Sequence, residues 1–154
     1  MKAVIQRVTR ASVEVDGKTV GRIRTGLVIL IGVAKGDTEK DVMYLCDKIP
    51  ALRIFNDEQG KMNRSLAEIA GGILAISQFT LLGDTRKGRR PGFDQAADPV
   101  TARRLYEQFV AQLRAGTDLA IETGTFGAHM AIELVNDGPV TFVLDSKEAL
   151  LGSN

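Results

Sequence analysis

Leu27-Val28-Ile29-Leu30-Ile31-Gly32-Val33-Ala34 is the stretch around which the rest of the chain has to be arranged. It is rich in β-branched residues, is bounded by Gly26 and Gly36, and shows no polar face, the pattern of a strand covered on both sides. Interrupted at Gly32, it falls far short of the roughly 18 apolar residues that a membrane span requires. Upstream, Val13 and Val15 alternate and Asp16-Gly17 supplies the turn of a hairpin. Downstream, Asp37-Thr38-Glu39 starts a helix whose apolar face is Val42, Leu45, Cys46 and Ile49, and Pro50 is expected to end it. Arg53-Ile54-Phe55 reads as a short strand closed by a polar turn through Gly60, and Gly72 to Leu82 as a second buried strand. Asp98-Pro99 opens another helix, running to about Ala115 with Leu105, Phe109 and Leu113 inward. Leu119 to Glu122, Met130 to Val135 and Val140 to Leu144 read as strands. Because regular βαβ alternation is missing, the expectation is an α/β fold: a mainly antiparallel, barrel-like sheet body with two packed helices, forming a single domain over 1–154.

Composition narrows the function classes. The 154 residues are 44% hydrophobic and 25% charged, enough for a core and unlike a disordered chain. Arg7 and Arg10 follow the N-terminus too closely for a secretory h-region, and a single cysteine, Cys46, forms no internal disulfide, so a cytoplasmic setting is expected. Lys plus Arg number 20 against 19 Asp plus Glu, so contact with a polyanion would have to come from a local patch.

Usual catalytic reagents are scarce. His129 is the only histidine and reads as structural or surface, Cys46 belongs to a helix's apolar face, and neither a spaced metal-ligand set nor a nucleotide phosphate loop is present, so no metal and no cofactor are expected. Two segments interrupt buried strands. Ser77-Gln78-Phe79-Thr80 places polar side chains where they need partners: either a ligand pocket at a strand end, or solvent for two of them and a backbone bond for Thr80. Asn136-Asp137-Gly138-Pro139-Val140-Thr141 reads locally as a plain hairpin turn with a plausible cis X-Pro bond.

Taken together, Ser77-Gln78-Phe79-Thr80 and Asn136-x-Gly138-Pro139-Val140-Thr141 resemble the two signature motifs of the D-aminoacyl-tRNA deacylase family. The resemblance extends to Met1–Val8, Leu52–Phe55 with Gly60–Asn63, Thr85–Gly88 and Phe126-Gly127-Ala128-x-Met130, covering essentially the whole chain. It implies a homodimer that hydrolyses the ester joining a D-amino acid, or glycine, to the terminal adenosine of tRNA. Gly138-Pro139, with its peptide cis, would reach into the partner's pocket, floored by Ser77 to Thr80, and reject L-amino acids by a clash.

An aminoacyl ester is already activated and carries a neighbouring ribose 2′-hydroxyl, so orientation and oxyanion stabilisation suffice without a histidine base. On this reading the Gln78 and Phe79 amides hold the oxyanion, the Phe79 ring packs on adenine, and Thr80 positions substrate or water. The competing mechanism makes Thr80 a covalent nucleophile, which needs an adjacent base. Arg86, Lys87, Arg89 and Arg90 form a basic run that would hold tRNA phosphates or, on the plainer reading, be a solvated loop. The implied partners are aminoacyl-tRNA and a second copy, with no membrane and no DNA. A rival class is a non-catalytic RNA-binding module stacking bases on Phe79, against which no second aromatic flanks Phe79 on its strand; a deacylase for another small acyl group is a third.

Overall fold

A computed structural model describes residues 1–152. Eight strands, three α-helices and one 3₁₀ turn follow one another as β1 (Lys2–Val15), β2 (Lys18–Ile23), β3 (Gly26–Gly32), α1 (Glu39–Ala51), β4 (Phe55–Asn56), β5 (Met62–Arg64), β6 (Gly72–Ser77), the 3₁₀ turn (Phe79–Leu82), α2 (Pro99–Gly116), β7 (Ile121–Thr123), β8 (Ala131–Asp145) and α3 (Ser146–Leu151). β1 is the spine: its first half pairs with β3, its second half with β2, and its other edge with β8 along nearly its whole length, all antiparallel. Asp16 and Gly17, both at positive φ, make the expected two-residue turn between β1 and β2.

The sheet is mixed, not mainly antiparallel: β6 runs parallel to β3 and β7 parallel to β6. The segment containing α1 carries the chain from β3 back to its starting end before β6, and α2 does the same between β6 and β7, so each next strand runs in the same direction. The β4–β5 pair inside the first crossover hides that alternation from a linear reading. A third helix, α3, was not expected; Asp145 caps it by accepting from the Lys147 N–H at 3.0 Å.

Both faces of the central strands are buried, as the apolar run at 27–34 predicts. Leu27, Ile29 and Ile31 join Ile73 and Ala75 on the face covered by Leu45, Ile49, Leu105 and Phe109 of the two long helices. Val28, Leu74 and Ile76 face Val8, Val13 and Ile23 in the curl of the sheet, with Met130, Ile132 and Leu134 of the β8 region against them. Pro50 sits within the last turn of α1 and Leu52 caps it, so the helix ends two residues later than proline chemistry suggests.

Asp41 ties three elements together. Its carboxylate accepts from the Thr38 N–H at 2.8 Å, closing a capping box at the start of α1, and from the Ser146 hydroxyl of α3 at 2.6 Å, with the Met1 ammonium at 3.7 Å. Burial pushes this carboxyl up, but the bonds from Ser146 and Thr38 and the ammonium outweigh it and leave it below the ordinary aspartate value. A depressed native pKa contributes stability that is present above the unfolded value and lost as pH falls through the folded one. The thermal midpoint is therefore expected to drop below about pH 4. Asp41→Asn should lower it by several degrees at pH 7, for about 2 kcal/mol lost, and flatten the acid limb in calorimetry.

Candidate active site

β6 leaves the sheet at Ser77, and the chain then turns instead of continuing as the expected strand to Leu82. The Gln78 N–H still reaches the Ile31 carbonyl of β3 at 2.7 Å, while Phe79 to Leu82 wind into the 3₁₀ turn. Gly32 makes room: a Cβ there would stand 3.0 Å from that of Leu81 and 3.1 Å from the Gln78 carbonyl, so only glycine lets the turn close over β3. The Tyr106 hydroxyl donates to the Ala75 carbonyl at 2.8 Å, fixing α2 over β6 just before the turn; burial raises that phenol to about 12.

A cavity of about 460 Å³ opens where β6 ends. Ser77, Gln78 and Phe79 form one wall, and Phe126, His129 and Met130 contribute to another. A wider depression of about 720 Å³ between α2 and β7 shares Phe126 but none of the Ser77–Thr80 residues. Thr80 is exposed and is not among the lining residues; its hydroxyl accepts a short bond from the Gln78 carboxamide. The Gln78 N–H, assigned above to an oxyanion, is committed to Ile31. The Phe79 and Thr80 N–H groups head the turn without a backbone acceptor among the described residues. His129 is exposed on the rim, and Cys46 donates to the Phe109 carbonyl at 3.5 Å from a half-buried setting whose desolvation pushes its thiol up to about 12, so it is no nucleophile.

The second motif is not a hairpin turn. β8 is one strand through it, and Asn136 pairs with Val8 while Thr141 pairs with Gln6, so four residues bulge out opposite Arg7 alone. The Asn136 carboxamide closes this bulge: its oxygen accepts from the Val140 N–H at 2.8 Å and its nitrogen donates to the Val140 carbonyl at 3.1 Å, standing in for a strand partner. Gly138 has φ +152°, and a Cβ there would lie 2.6 Å from the Val140 nitrogen. The Gly138–Pro139 bond is cis. Both residues are exposed and neither lines the cavity of its own chain.

Sequence reasoning missed what holds this bulge. Arg7 is 6% exposed; its Nε donates to the Asp137 carbonyl at 2.9 Å and its Nη1 to the Ile54 carbonyl at 2.8 Å and Asn56 Oδ1 at 3.1 Å. One guanidinium thus locks β8 to β4. It also missed Phe93, whose ring centroid lies 5.0 Å from that of Phe79. The basic run is exposed and divides in two: Arg86 is held by Asp84, with 2.9 and 2.6 Å bonds that keep that carboxylate well below its usual range, whereas Lys87, Arg89 and Arg90 have no ion-pair partner among the described residues.

Comparison with known proteins agrees with the motif reading. Residues 4–145 match the family model described as D-Tyr-tRNA(Tyr) deacylase. A D-aminoacyl-tRNA deacylase of Thermosipho africanus is 58% identical over 96% of this chain and 99% of its own, and one of Geobacter sulfurreducens is 58% identical over 96% of each. A solved structure of a c-Myc DNA unwinding element binding protein superposes with TM-score 0.90 at 42% identity, covering 94% of this chain and 98% of that one. With both signature motifs in place on a matching fold, and relatives of this identity along nearly its full length, the chain belongs to the D-Tyr-tRNA(Tyr) deacylase family, hydrolases acting on aminoacyl-tRNA esters.

Proposed function

We propose that the cavity at the end of β6 hydrolyses D-aminoacyl and glycyl esters of tRNA by substrate assistance, and that a second copy of the chain supplies the Gly138–Pro139 bulge that turns L-esters away. The observation that carries the mechanism is the polar inventory of the Ser77–Thr80 segment: hydroxyls, a carboxamide and backbone N–H groups, with no carboxylate. Among the described residues the neighbour bonded to the Thr80 hydroxyl is the Gln78 carboxamide, which in either orientation is no base for activating a nucleophile. Such a site suits an ester whose own 2′-hydroxyl assists, leaving the protein to orient it and to stabilise the oxyanion. The Phe79 N–H takes the oxyanion role, and the Phe79 ring packs on the terminal adenine.

The Gly138–Pro139 bulge is anchored from behind by Arg7 and Asn136 and exposed in front, which suits insertion into a partner's cavity rather than its own. Phe142 and Val143, 38% and 73% exposed further along β8, offer apolar surface for the same contact. Lys87, Arg89 and Arg90 hold tRNA phosphates, and a tRNA ester as substrate supports the reading of a cytoplasmic enzyme. No helix among the described residues is long and apolar enough to cross a membrane.

Deacylation of matched D-, L- and glycyl-tRNA by purified protein tests the specificity, and sedimentation tests the assembly. D and glycyl turnover should exceed L turnover by orders of magnitude, from a species of twice the 16.6 kDa chain mass. Equal D and L rates, or a fully active and selective monomer, would refute the cross-subunit filter. Turnover is expected to survive exhaustive chelation, since no group of three or more His, Cys, Asp or Glu side chains able to hold a metal occurs among the described residues. His129→Ala should keep kcat within about tenfold; a loss of 10²-fold or more would make it the missing general base.

A further inference from the structure

The basic loop is not a free tether. Asp84 and Gly92 exchange two backbone bonds, 2.7 and 2.9 Å, that close it at its base. That closure fixes where the chain re-enters the body, and the first residue after it is Phe93. Beyond it, the Lys35 N–H donates to the Gln95 carbonyl at 2.9 Å and the Ala97 N–H to the Val33 carbonyl at 3.0 Å, so the segment is fastened on both sides. Behind the ring lies Gly83, where a Cβ would come within 3.2 Å of Phe93 Cε1.

Phe79 and Phe93 meet at an interplanar angle of 59°, so neither ring covers the other face to face, and they remain 56% and 37% exposed. Two half-open aromatic rings at the foot of a closed loop whose Lys87, Arg89 and Arg90 have no ion-pair partner among the described residues call for a partner carrying both negative charge and flat apolar rings. An apolar peptide would strip water from Lys87, Arg89 and Arg90 without repaying it, and a simple polyanion would leave the rings unused. Unpaired nucleotides satisfy both.

We propose that Phe93 is a nucleotide-binding residue: it stacks the base immediately preceding the terminal adenosine at the unpaired 3′ end of tRNA, while Phe79 packs on the terminal adenine and Lys87, Arg89 and Arg90 hold the intervening phosphates. The identity of the RNA rests on the deacylase reading above; the platform itself does not require turnover. Stacking on one aromatic ring contributes about five- to a hundredfold in affinity.

The test is a thermodynamic cycle on uncharged RNA, with Kd measured by anisotropy of a labelled acceptor-stem minihelix. One arm replaces the base before the terminal adenosine by an abasic site; the other replaces Phe93 by leucine, which keeps apolar bulk without a ring. Each change alone should weaken binding about tenfold, and both together should cost little more than either. Phe93→Tyr should bind as the wild type does. Additive losses, or a wild-type protein indifferent to the abasic site, would overturn the proposal, and the latter needs no variant to fold. A failure of the deacylase reading would look different: D-aminoacyl-tRNA left intact while the base-specific coupling to Phe93 persists.

Discussion

Deacylation of a D-aminoacyl-tRNA ending in 2′-deoxyadenosine, with the amino acid on the 3′-oxygen, is expected to be about 10²–10⁴-fold slower than that of the ribose substrate, the contribution typical of one positioned acid–base group. Thr80→Ala is expected to cost tenfold or less, because it removes one positioning hydrogen bond worth about 1 kcal/mol. The geometry sets this order of effects. Thr80 lies outside the cavity lining, and the neighbour bonded to its hydroxyl is the Gln78 carboxamide. A covalent threonine would reverse both results, with several orders of magnitude lost on truncation and a mild effect of the deoxy sugar. Single-turnover rates at saturating enzyme give the cleaner comparison, since they separate chemistry from tRNA release. A Thr80→Ala protein that is folded yet inactive, together with brisk hydrolysis of the deoxy substrate, would overturn substrate assistance while leaving the ester-hydrolase assignment standing.

The features legible in the sequence are those whose cause is local. Thr38 and Asp98 announce their helices because a cap bonds to residues two or three positions away, and Asp16-Gly17 announces its turn because two positive φ angles fall on residues that tolerate them. Parallel pairing has no such signal: whether β6 runs with or against β3 depends on the return path through α1, with a two-stranded excursion inside it. The apolar run through Leu81 and Leu82 concealed the break at Gln78, since the turn buries Leu82 as a strand would. At 136–141 the error has the opposite origin. Asn-Asp-Gly-Pro is turn chemistry, yet it serves a bulge inside a strand, because the Asn136 side chain replaces the missing partner at Val140. Arg7 lies 130 positions from Asp137, and Phe93 is brought to Phe79 by a loop closure. Neither pairing leaves a mark in any local window.

Under the proposed filter, Arg7→Ala is expected to lower discrimination between D- and L-aminoacyl-tRNA by about 10²-fold or more, equivalent to losing roughly 3 kcal/mol of clash against the L-substrate. Rejection by steric exclusion works only if the excluding group cannot yield. The Gly138–Pro139 bulge interrupts the β1–β8 pairing, with a second register shift between Val8 and Arg10 beside it, so its rigidity must come from its anchors: the Asn136 carboxamide at its base and the Arg7 guanidinium behind Asp137. Asn136 fixes the width of the bulge. Arg7 fixes its direction, because the same guanidinium also grips the Ile54 carbonyl just before β4 and the Asn56 side chain within it. Alanine would leave the Asp137 and Ile54 carbonyls without their donor, which costs about 1–3 kcal/mol of stability for each acceptor left buried. Thermal melts and sedimentation must therefore accompany the kinetics. Arg7→Lys separates the two consequences: it keeps the charge and one bond but cannot span Asp137 and β4 together, so it should recover stability more fully than selectivity. A folded, dimeric Arg7→Ala enzyme with undiminished D over L preference would show that the bulge is held by the partner subunit, and that Arg7 serves only the packing of β4 against β8.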